Sequence, residues 1–392
     1  MTRSYRDARA QIIQAVAPLL RTEVVPLAEA PGRVLAVDVA ADRDQPPFHR
    51  STRDGFAVRA ADVPGTLRVI GEIAAGASLG RALVPGEAAE IMTGAPVPDG
   101  ADAVVMVENV ERRGDRVTAA QAIAAGENFV PAGREIRAGA LAVAAGARIG
   151  PGEIAMLATV GCAAVTVAAR PRVAVCATGE ELVGVDTRPG PTQIRDSNSH
   201  TLAAQVLRAG GVPVRLAPAH DSADSLRERL AVAVAEADLV IFSGGVSMGK
   251  YDLVEDVFKE MGGRILFDGV AIRPGKPVVF GEIAGKPFFG LPGNPLSTLV
   301  TFELFARAAL DRLAFAEPLL RVQLAELTAS FRQRALPLTC FVPARLDGLR
   351  AEALPSHGSG DIAALCRADG FVVVEPGVTE LLAGAVVSYL PR

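Results

Sequence analysis

The chain has 392 residues, of which 50% are hydrophobic and 21% are charged. A length of about 150 residues per domain gives two to three domains, with enough apolar material for several cores and too little charge for a disordered chain. The formal net charge of −4 argues against a general nucleic-acid or membrane-surface binder, because either would carry a basic excess.

The first part of the chain predicts a helix, a β-rich domain and a connector. Apolar residues at helical spacing from Tyr5 to Leu19 predict an amphipathic helix, followed by a short strand before residue 41. Residues 42–137 are interrupted at short intervals by Gly and Pro, which predicts a small β-rich domain. Residues 138–170 predict a helix after Pro151, a turn and a strand that can pack back on the first segment.

Two segments have some features of a targeting or membrane signal. The N-terminal segment carries arginines but lacks the apolar stretch of a secretory signal. The apolar stretch 154–169 is too short and too interrupted to span a bilayer. We therefore expect a soluble, cytoplasmic protein with no membrane contact and no nucleic-acid partner.

Residues 171–317 give the clearest pattern, in which strands alternate with helices. Strands are predicted at 172–177, 212–216, 238–242 and 287–289, and helices at 200–209, 224–235, 252–261 and 295–313. This alternation predicts βαβ units and a mostly parallel sheet. Residues 318–392 return to short strands and Gly turns, which predict a small β-barrel or sandwich.

The loops that follow the predicted parallel strands are candidate binding sites, because ligands bind beyond the carboxyl ends of such strands. A glycine- and serine-rich loop follows the strand 238–242, and its backbone N–H groups and hydroxyls suit an anion. Its candidate residues are Ser243, Gly244, Gly245, Ser247 and Gly249. A tight turn with no ligand is the alternative.

Two further loops carry cations or precede a helix. Arg273 and Lys276 are held on a Pro-rich loop, which predicts a contact to phosphate or another oxyanion, with a charged surface turn as the alternative. Lys276 is one of four lysines, together with Lys250, Lys259 and Lys286. The strand-to-helix turn GLPGNPLS supplies the candidates Pro292, Asn294, Pro295 and Ser297.

Acidic residues at equivalent strand ends predict a magnesium site. Glu180 and Glu181 follow the first strand, Asp221 follows the second, and Asp252 follows the glycine loop. Mg²⁺ is commonly held by one or two carboxylates together with substrate phosphates. These acidic residues are therefore candidate metal ligands as a set, although each alone could be a cap or a surface charge.

Two motifs lie outside this region, and their residues alone favour turns over sites. One places Asp54 in RSTRDGF, and the other places Thr93 in a Gly/Pro-rich loop. The four cysteines and four histidines show no zinc-ligand or HExxH spacing, so a disulfide framework or a zinc site is not expected.

Taken together, seven ordered motifs resemble one family, the molybdopterin molybdenumtransferases (the MoeA family, related to the E domain of gephyrin). The resemblance covers nearly the whole chain. The motifs are SxxDGFAV (51–58), MTGAPVPDGAD (92–102), ATGEEL (177–182), SGGVSMG (243–249), RPGKP (273–277), GLPGNP (290–295) and HGSGD (357–361).

The resemblance implies four domains and an elongated homodimer. The domains are a discontinuous linker or dimerisation domain (domain I, 1–41 and 138–170), a β-rich domain (domain II, 42–137), a mostly parallel α/β molybdopterin-binding domain (domain III, 171–317) and a C-terminal β-barrel (domain IV, 318–392). It also implies partners: the enzyme that adenylylates molybdopterin, and molybdoenzyme apoproteins or their chaperones.

The implied reaction is the insertion of molybdate into adenylylated molybdopterin, with release of AMP and a requirement for Mg²⁺. Asp54 and Thr93 would border the cleft from the partner subunit. Glu181, Asp221 and Asp252 would orient Mg²⁺ or the adenylyl phosphate. The loop 243–249 and Lys276 would hold the pterin phosphate or molybdate, and Ser297 and Ser359 would be oxyanion contacts.

The sequence departs from the family pattern at several positions. Arg53 stands where the family usually has Met, Arg273 replaces a common Lys, and Glu135 replaces a common Asp. Pro343 falls where the family often has an Arg that is expected to help bind molybdate, and Arg345 could replace it only with a shifted register.

These departures keep two other functions open. One is a non-catalytic carrier of the finished cofactor or a scaffold, and the other is the adenylyltransferase step. The flanking domains argue against the second, because the family of that step shares only the α/β region.

Overall fold

The fold is taken from a computed structural model that describes residues 3–245 and 253–392. The predicted site residues Ser247, Gly249 and Asp252 lie outside the described residues. The first segment of domain I contains a helix and two short strands, α1 (Tyr5–Ala15), β1 (Thr22–Pro26) and β2 (Val39–Ala40). Helix α1 begins where the Ser4 side chain accepts a hydrogen bond from the Asp7 N–H.

Domain II is a β-domain built around a six-stranded sheet with the order β7-β4-β6-β5-β9-β8. The strands of domain II are β3 (Arg50–Ser51), β4 (Gly55–Val58), β5 (Gly65–Ile73), β6 (Glu87–Ile91), β7 (Ala103–Met106), β8 (Val110–Arg113), β9 (Arg116–Ala119) and β10 (Phe129–Val130), of which β3 and β10 pair outside the six-stranded sheet. Apolar side chains cover both faces of this sheet in two separate clusters. The β-rich domain that the Gly/Pro rhythm predicts is therefore present.

Glycine is required at the start of β4. A Cβ atom on Gly55 would lie 2.0 Å from the carbonyl oxygen of Val105 on the neighbouring strand β7. Real Cβ atoms do not approach so closely, so only glycine lets these two strands pair here. The close approach fixes the backbone of Asp54, whose carbonyl accepts a hydrogen bond from Val107 N–H at 3.1 Å.

The second segment of domain I pairs with the first. It contains β11 (Leu141–Val143), α2 (Pro151–Thr159) and β12 (Ala164–Ala168). Strand β1 pairs antiparallel with β12, and β2 with β11, so the chain leaves this unit into domain II and then returns to it. Helix α2 begins with Pro151 at its first position, where the missing N–H costs nothing.

Domain III contains the predicted alternation of strands and helices. Its elements are β13 (Arg172–Ala177), β14 (Leu182–Val183), β15 (Ile194–Arg195), α3 (Asn198–Arg208), β16 (Val212–Arg215), α4 (Ala223–Glu236), β17 (Leu239–Ser243), α5 (Leu253–Glu260), β18 (Arg264–Asp268), β19 (Ile272–Arg273), β20 (Val279–Ile283), β21 (Lys286–Leu291), α6 (Pro295–Thr301) and α7 (Arg307–Leu313). A π-helical turn, Phe302–Ala306, joins α6 to α7.

The six-stranded sheet of domain III has the order β16-β13-β17-β21-β20-β18. The first four strands are parallel, which confirms the predicted mostly parallel sheet, and β20 and β18 add an antiparallel edge. The chain runs from β13 outward to β16 and then crosses to β17 on the other side of β13. Strand order therefore reverses beside the carboxyl ends of β13 and β17, which is where such sheets bind ligands.

Helix α1 packs on domain III and domain IV. Its apolar face lies in one core with α3, α7 and one face of the sheet of domain III. The Tyr5 ring also meets the Phe341 ring of domain IV edge to face, with the ring centroids 5.6 Å apart. The first helix thus connects the α/β domain to the C-terminal domain.

Domain IV is a closed barrel of five strands. Its elements are β22 (Gln323–Leu327), β23 (Phe331–Arg332), β24 (Thr339–Asp347), β25 (Arg350–Ala353), α8 (Ile362–Arg367), β26 (Gly370–Val374), β27 (Glu380–Leu381) and β28 (Val386–Pro391). The barrel closes because β24 pairs with both β25 and β26. Strand β19 of domain III adds to β24, so the two domains share a sheet edge beside Arg273. None of the helices in the described part of the chain is long and apolar enough to cross a membrane.

Candidate functional site

The carboxyl ends of three neighbouring parallel strands supply the candidate site. Strand β13 leads into Thr178, β17 ends at Ser243, and β21 leads into Pro292. The strands are in register, so these ends lie side by side. Two cavities open here, and we name them by their charged residues.

The first is the carboxylate cavity, of about 960 Å³. The predicted residues that line it are Glu181, Asp221, Ser243, Gly244, Gly245, Pro292, Asn294 and Pro295. They come from loops after four different strands, as expected for a site at the carboxyl edge of a parallel sheet. Domain IV adds Gly360 and Ile362 to one side of this cavity.

Acidic side chains concentrate negative charge in the carboxylate cavity. The Glu180 carboxylate accepts a hydrogen bond from Asp221 N–H at 2.9 Å and lies 3.2 Å from His220 Nδ1. Burial, and then the charges of Glu181 and Glu180, raise the pKa of Asp221 above its ordinary value. Among the described residues, no group of three or more acidic, histidine or cysteine side chains has metal-binding geometry.

Close backbone packing shapes the glycine loop at the bottom of this cavity. Gly244 has φ +100°, and a Cβ on it would lie 2.6 Å from the Thr178 carbonyl oxygen. Its N–H donates to the Leu291 carbonyl at 3.0 Å, which ties the end of β17 to the end of β21. The neighbouring Ser243 is buried, so its hydroxyl serves this packing more than it faces solvent.

Two residues that the sequence reasoning missed complete this cavity, Thr178 and Asn198. The Asn198 side-chain amide donates from Nδ2 to Ser243 Oγ at 2.9 Å and to the Gly293 carbonyl at 2.6 Å. Its Oδ1 atom and the Thr178 hydroxyl are buried without a hydrogen-bond partner in the described part of the chain, and both residues line the cavity. Buried polar atoms are normally satisfied, so these two still need a hydrogen-bond partner, which a ligand or a residue outside the described part could supply.

The sequence around Asn198 suits a helix cap as well as a ligand contact. Ser197, Asn198 and Ser199 stand at the start of a helix, where such residues commonly act as caps, yet the side chain of the Ncap residue of α3, Ser197, makes no capping bond. Ser199 instead bonds to the buried Asp196 carboxylate, through its N–H at 2.9 Å and through its hydroxyl. A run of polar residues between a strand and a helix, close to the edge of the sheet where ligands bind, is also typical of a ligand contact.

The second cavity, the cationic cavity of about 660 Å³, lies between domains III and IV. The predicted residues that line it are Arg273, Lys276, Pro292, Asn294, Ser297 and Ser359. The Lys276 carbonyl accepts hydrogen bonds from Val270 N–H and Val278 N–H, which hold the loop while its side chain stays exposed. Neither Arg273 nor Lys276 has an ion-pair partner within residues 3–245 and 253–392.

The two domains meet directly in this cavity. The Ser359 carbonyl of domain IV accepts a hydrogen bond from Leu296 N–H, in the first turn of α6, at 3.0 Å. Pro277, Pro292 and Asn294 line both cavities, so the carboxylate and cationic cavities share a wall. A ligand with two ends can therefore occupy both.

The positions of Pro343 and Arg345 show whether Arg345 can replace the arginine that the family often has in this region. Pro343 is buried and lines the cationic cavity, while Arg345 does not line it and forms an exposed ion pair with Glu352 at 2.9 Å. Strand β24 is regular through this stretch, with no shift of register. Arg345 therefore does not replace the arginine that the family often has at the position of Pro343. Cys340 also lines the cavity, and burial raises the pKa of its thiol.

Asp54 and Thr93 are brought together, but away from both cavities. The Asp54 carboxylate accepts a hydrogen bond from Thr93 N–H at 2.7 Å, and bonds from the Thr93 backbone and side chain lower the pKa of Asp54. Both residues are exposed. In the described part of the chain, no hydrogen bond or ion pair joins domain II to domain III, so one copy of the chain does not place this pair at the α/β site.

Family models match the chain along most of its length. They are described as "MoeA N-terminal region (domain I and II)" for residues 3–161, "Probable molybdopterin binding domain" for 174–312 and "MoeA C-terminal region (domain IV)" for 325–391. These ranges contain all seven motifs of the resemblance.

Known proteins are similar over most of the chain. A molybdopterin molybdenumtransferase of Bacillus subtilis (strain 168) is 34% identical over 385 residues, which cover 94% of this chain and 89% of that protein. One from Nostoc sp. is 38% identical over 324 residues, 79% of this chain and 74% of that protein. A crystal structure of a molybdopterin biosynthesis moeA protein from Pyrococcus horikoshii OT3 matches with a TM-score of 0.85 at 27% identity, over 100% of both chains.

The sequence resemblance and the predicted fold class are both confirmed by these matches. The overall fold, with an α/β domain beside a five-stranded barrel, matches that of the solved relative over the full length of both chains. The chain belongs to the molybdopterin molybdenumtransferases, the transferases of molybdenum cofactor biosynthesis.

Proposed function

We propose that the protein inserts molybdate into adenylylated molybdopterin, in a Mg²⁺-dependent reaction that releases AMP. The observation that supports this most is the shared wall of the two cavities, formed by Pro277, Pro292 and Asn294. One cavity offers carboxylates and the other offers cations. That pairing suits a substrate whose phosphate end binds next to a second, smaller oxyanion.

The carboxylate cavity is proposed to bind the phosphate end of the adenylylated pterin. Gly244 and Gly245 line it as part of a glycine-rich turn, a kind of backbone that can receive an anion. The unpartnered Asn198 Oδ1 can accept only from an N–H or O–H, and the Thr178 hydroxyl can donate or accept. Together they would orient the ligand and would be satisfied by it.

The donor set of the same cavity fits Mg²⁺. Glu181 and Asp221 line it together. Burial, and then the charge of Glu181, raise the pKa of Asp221, and a bound cation would offset that repulsion. Two carboxylates are enough for Mg²⁺ when a substrate phosphate completes its shell. Glu181 and Asp221 would hold the ion, with Asp252 as the further ligand that the sequence predicts. When bound, the ion would neutralise charge on the phosphoanhydride.

The cationic cavity is proposed to bind molybdate. Lys276 and Arg273 supply positive charge without competing ion pairs in the described part of the chain, and Ser297 and Ser359 supply hydroxyls. An oxyanion held there would lie across the shared wall from the pterin. The contribution of these residues is to position two reactants and to stabilise their charge.

The proposed reaction balances without an oxidant or a reductant. Two oxygens of molybdate are replaced by the two dithiolene sulfurs, and they leave as two waters that take up the two thiol protons and two protons from solvent. One water is consumed where the phosphoanhydride bond breaks, and the adenylyl group leaves as AMP. Molybdenum stays in the same oxidation state.

The test is a single-turnover assay with purified protein, adenylylated molybdopterin, molybdate and Mg²⁺. We expect AMP and finished cofactor in equal amounts, and no cofactor when molybdate is omitted. Repeating the assay with tungstate in place of molybdate measures which of the two metals the protein inserts faster. Failure to form either product, under conditions where the Bacillus subtilis relative forms both, would contradict the proposal.

A cofactor carrier or scaffold is the second candidate, because Pro343 leaves the cationic cavity without the arginine that the family often has there. The same assay separates the two functions. Tight binding of finished cofactor with no AMP release from the adenylylated substrate would favour the carrier.

We further propose a homodimer that works in the cytoplasm, with the adenylylating enzyme upstream and molybdoenzyme apoproteins or their chaperones downstream. The separation of Asp54 and Thr93 from both cavities supports the dimer, since a second copy could supply this pair. Sedimentation analysis tests it, and a monomer at micromolar concentration would contradict it.

A further inference from the structure

A third cavity lies far from the shared wall, at the junction of domains I, III and IV. It is a cleft of about 470 Å³, and no residue of the carboxylate or cationic cavity lines it. The turn after β12, the end of α3 and the chain that enters the barrel form its walls. We call it the junction cleft.

Arginines from all three domains line the junction cleft. Domain I supplies Arg33, Arg148 and Arg170, domain III supplies Arg208 and Arg307, and domain IV supplies Arg321 and Arg392. Glu303 is the one acidic side chain among the described residues that line it. In a chain whose net charge is negative, this cleft concentrates positive charge.

Internal ion pairs hold part of this charge in place. The buried Glu303 carboxylate pairs with Arg208 and, at 3.6 Å, with Arg307. The buried Asp311 carboxylate, just behind the cleft, pairs with Arg148 at 3.1 Å and with Arg307 at 3.8 Å. Glu303 lies in the π-helical turn between α6 and α7, a helix irregularity that is frequent at functional sites.

The remaining arginines of the cleft differ in whether an acid neutralises them. Arg33 is 8% exposed and is fixed by bonds from its guanidinium to the Ala168 carbonyl, at 2.9 Å, and to Glu23. Arg170 and Arg321 are exposed, and their side chains have neither a hydrogen bond nor an ion pair with any described residue. They line the cleft from domains I and IV, so the ion pairs surround a space that also contains these two uncompensated guanidinium groups.

We propose that the junction cleft binds a small phosphorylated molecule with at least two negative charges. Guanidinium groups match the oxygens of phosphate in pairs. The apolar walls, which include Val34, Leu319 and Leu390, would contact the organic part of such a ligand. A cleft of this volume also lies within the range of small-molecule sites. The bound molecule bridges three domains and fixes their relative positions.

The test uses inorganic pyrophosphate as the probe, in a Lys276→Ala background that removes the main cation of the cationic cavity. Binding is measured by titration calorimetry at about 0.15 M ionic strength. We expect binding in this background, with affinity that falls as salt is added. Replacing the two uncompensated side chains, as Arg170→Ala together with Arg321→Ala, is expected to weaken binding about tenfold or more.

Arg116→Ala is the matched control, since it removes one exposed arginine from strand β9 of domain II, away from the cleft. Its pyrophosphate affinity should stay unchanged. Arg321→Ala alone should give an intermediate loss, which keeps the test valid if the double variant folds poorly. Absence of pyrophosphate binding in the Lys276→Ala background, or equal binding with and without the two cleft arginines, would overturn the proposal.

Discussion

Two parts of the proposed machinery differ in how completely one chain builds them. The carboxylate and cationic cavities are assembled within one copy, from strand ends of domain III and a loop of domain IV. The Asp54–Thr93 pair is just as ordered, with a 2.7 Å hydrogen bond, yet it lies in domain II with no bond to domain III in the described part of the chain. Local order alone therefore does not make a site, since the groups must also reach the substrate.

The largest effect is expected for the cationic cavity. Lys276→Ala should lower the rate of AMP release by about a hundredfold or more, because a charged oxyanion contact is removed from a preorganised site. The rate is measured under single-turnover conditions at saturating pterin. Lys259→Ala is the control, since Lys259 lies on α5 in an exposed pair with Glu255 at 3.4 Å. Equal rates in the two variants would rule out the role of Lys276.

A mixed dimer tests whether domain II acts across two copies. Asp54→Asn and Lys276→Ala are each expected to be inactive alone. Coexpression of both should restore about a quarter of wild-type activity, because half of the dimers are mixed and each of these has one intact composite site. Recovery is measured as AMP release by the purified mixture. If the mixture stays inactive, Asp54 and Lys276 do not act in one site formed by two subunits.

The backbone that presents Asp54 can be disrupted without changing that side chain. Gly55→Ala should lower the free energy of unfolding by more than about 2 kcal/mol, because its Cβ would lie 2.0 Å from the Val105 carbonyl oxygen. Urea unfolding measures the change. Gly152→Ala is the control, since no atom lies within 4 Å of its added Cβ, and its stability should change by less than about 0.5 kcal/mol.

The carboxylate cavity is expected to show a smaller, metal-dependent effect. Glu181→Gln should raise the Mg²⁺ concentration for half-maximal AMP release about tenfold, because one anionic ligand becomes neutral. The control is Glu236→Gln on α4, whose carboxylate makes only an exposed pair with Arg172 at 3.9 Å. A Mg²⁺ requirement that is unchanged in Glu181→Gln would remove this residue from the ligand set.

The smallest effect is a pH dependence of magnesium binding. The pKa of Asp221 is raised above its ordinary 3.8 by burial and by its acidic neighbours. The folded protein holds this proton longer than the unfolded chain, so the contribution of Asp221 to stability falls as pH rises from 3.8 through the raised pKa.

Magnesium requires the ionised form of Asp221. Its affinity should therefore weaken as pH falls through the raised pKa, and Asp221→Asn should reduce this dependence. Titration of Mg²⁺ at a series of pH values measures the effect. An identical pH profile in wild type and variant would contradict the assignment.

The sequence predicts domain III best because its pattern and its topology agree. Continuous apolar runs mark β13 and β17 with almost no error, and the parallel order then places their carboxyl ends together. Most of the predicted site residues within the described part of domain III consequently line one of two adjacent cavities. The antiparallel edge of β18 and β20 is not visible in the pattern, because a short apolar run does not reveal strand direction.

The sequence could not predict what depends on contacts between distant segments. Helix α1 has the spacing of any amphipathic helix, which does not indicate that it packs on α7 and Phe341. The polar atoms of Thr178 and Asn198 become significant only because the fold buries them without partners. Likewise, Arg345 pairs with Glu352 on the neighbouring strand β25, a contact that forms only in the folded barrel.

Two buried thiols, one of them in the wall of the cationic cavity, have a consequence for the proposed transfer of a metal to sulfur. Burial raises the pKa of Cys340, in the wall of the cationic cavity, and raises that of Cys176, in strand β13, to about 12. The thiolate is the form that coordinates metals, so both side chains stay poor ligands at neutral pH. The proposed molybdate site thus has a sulfur atom beside it that does not compete with the dithiolene of the substrate.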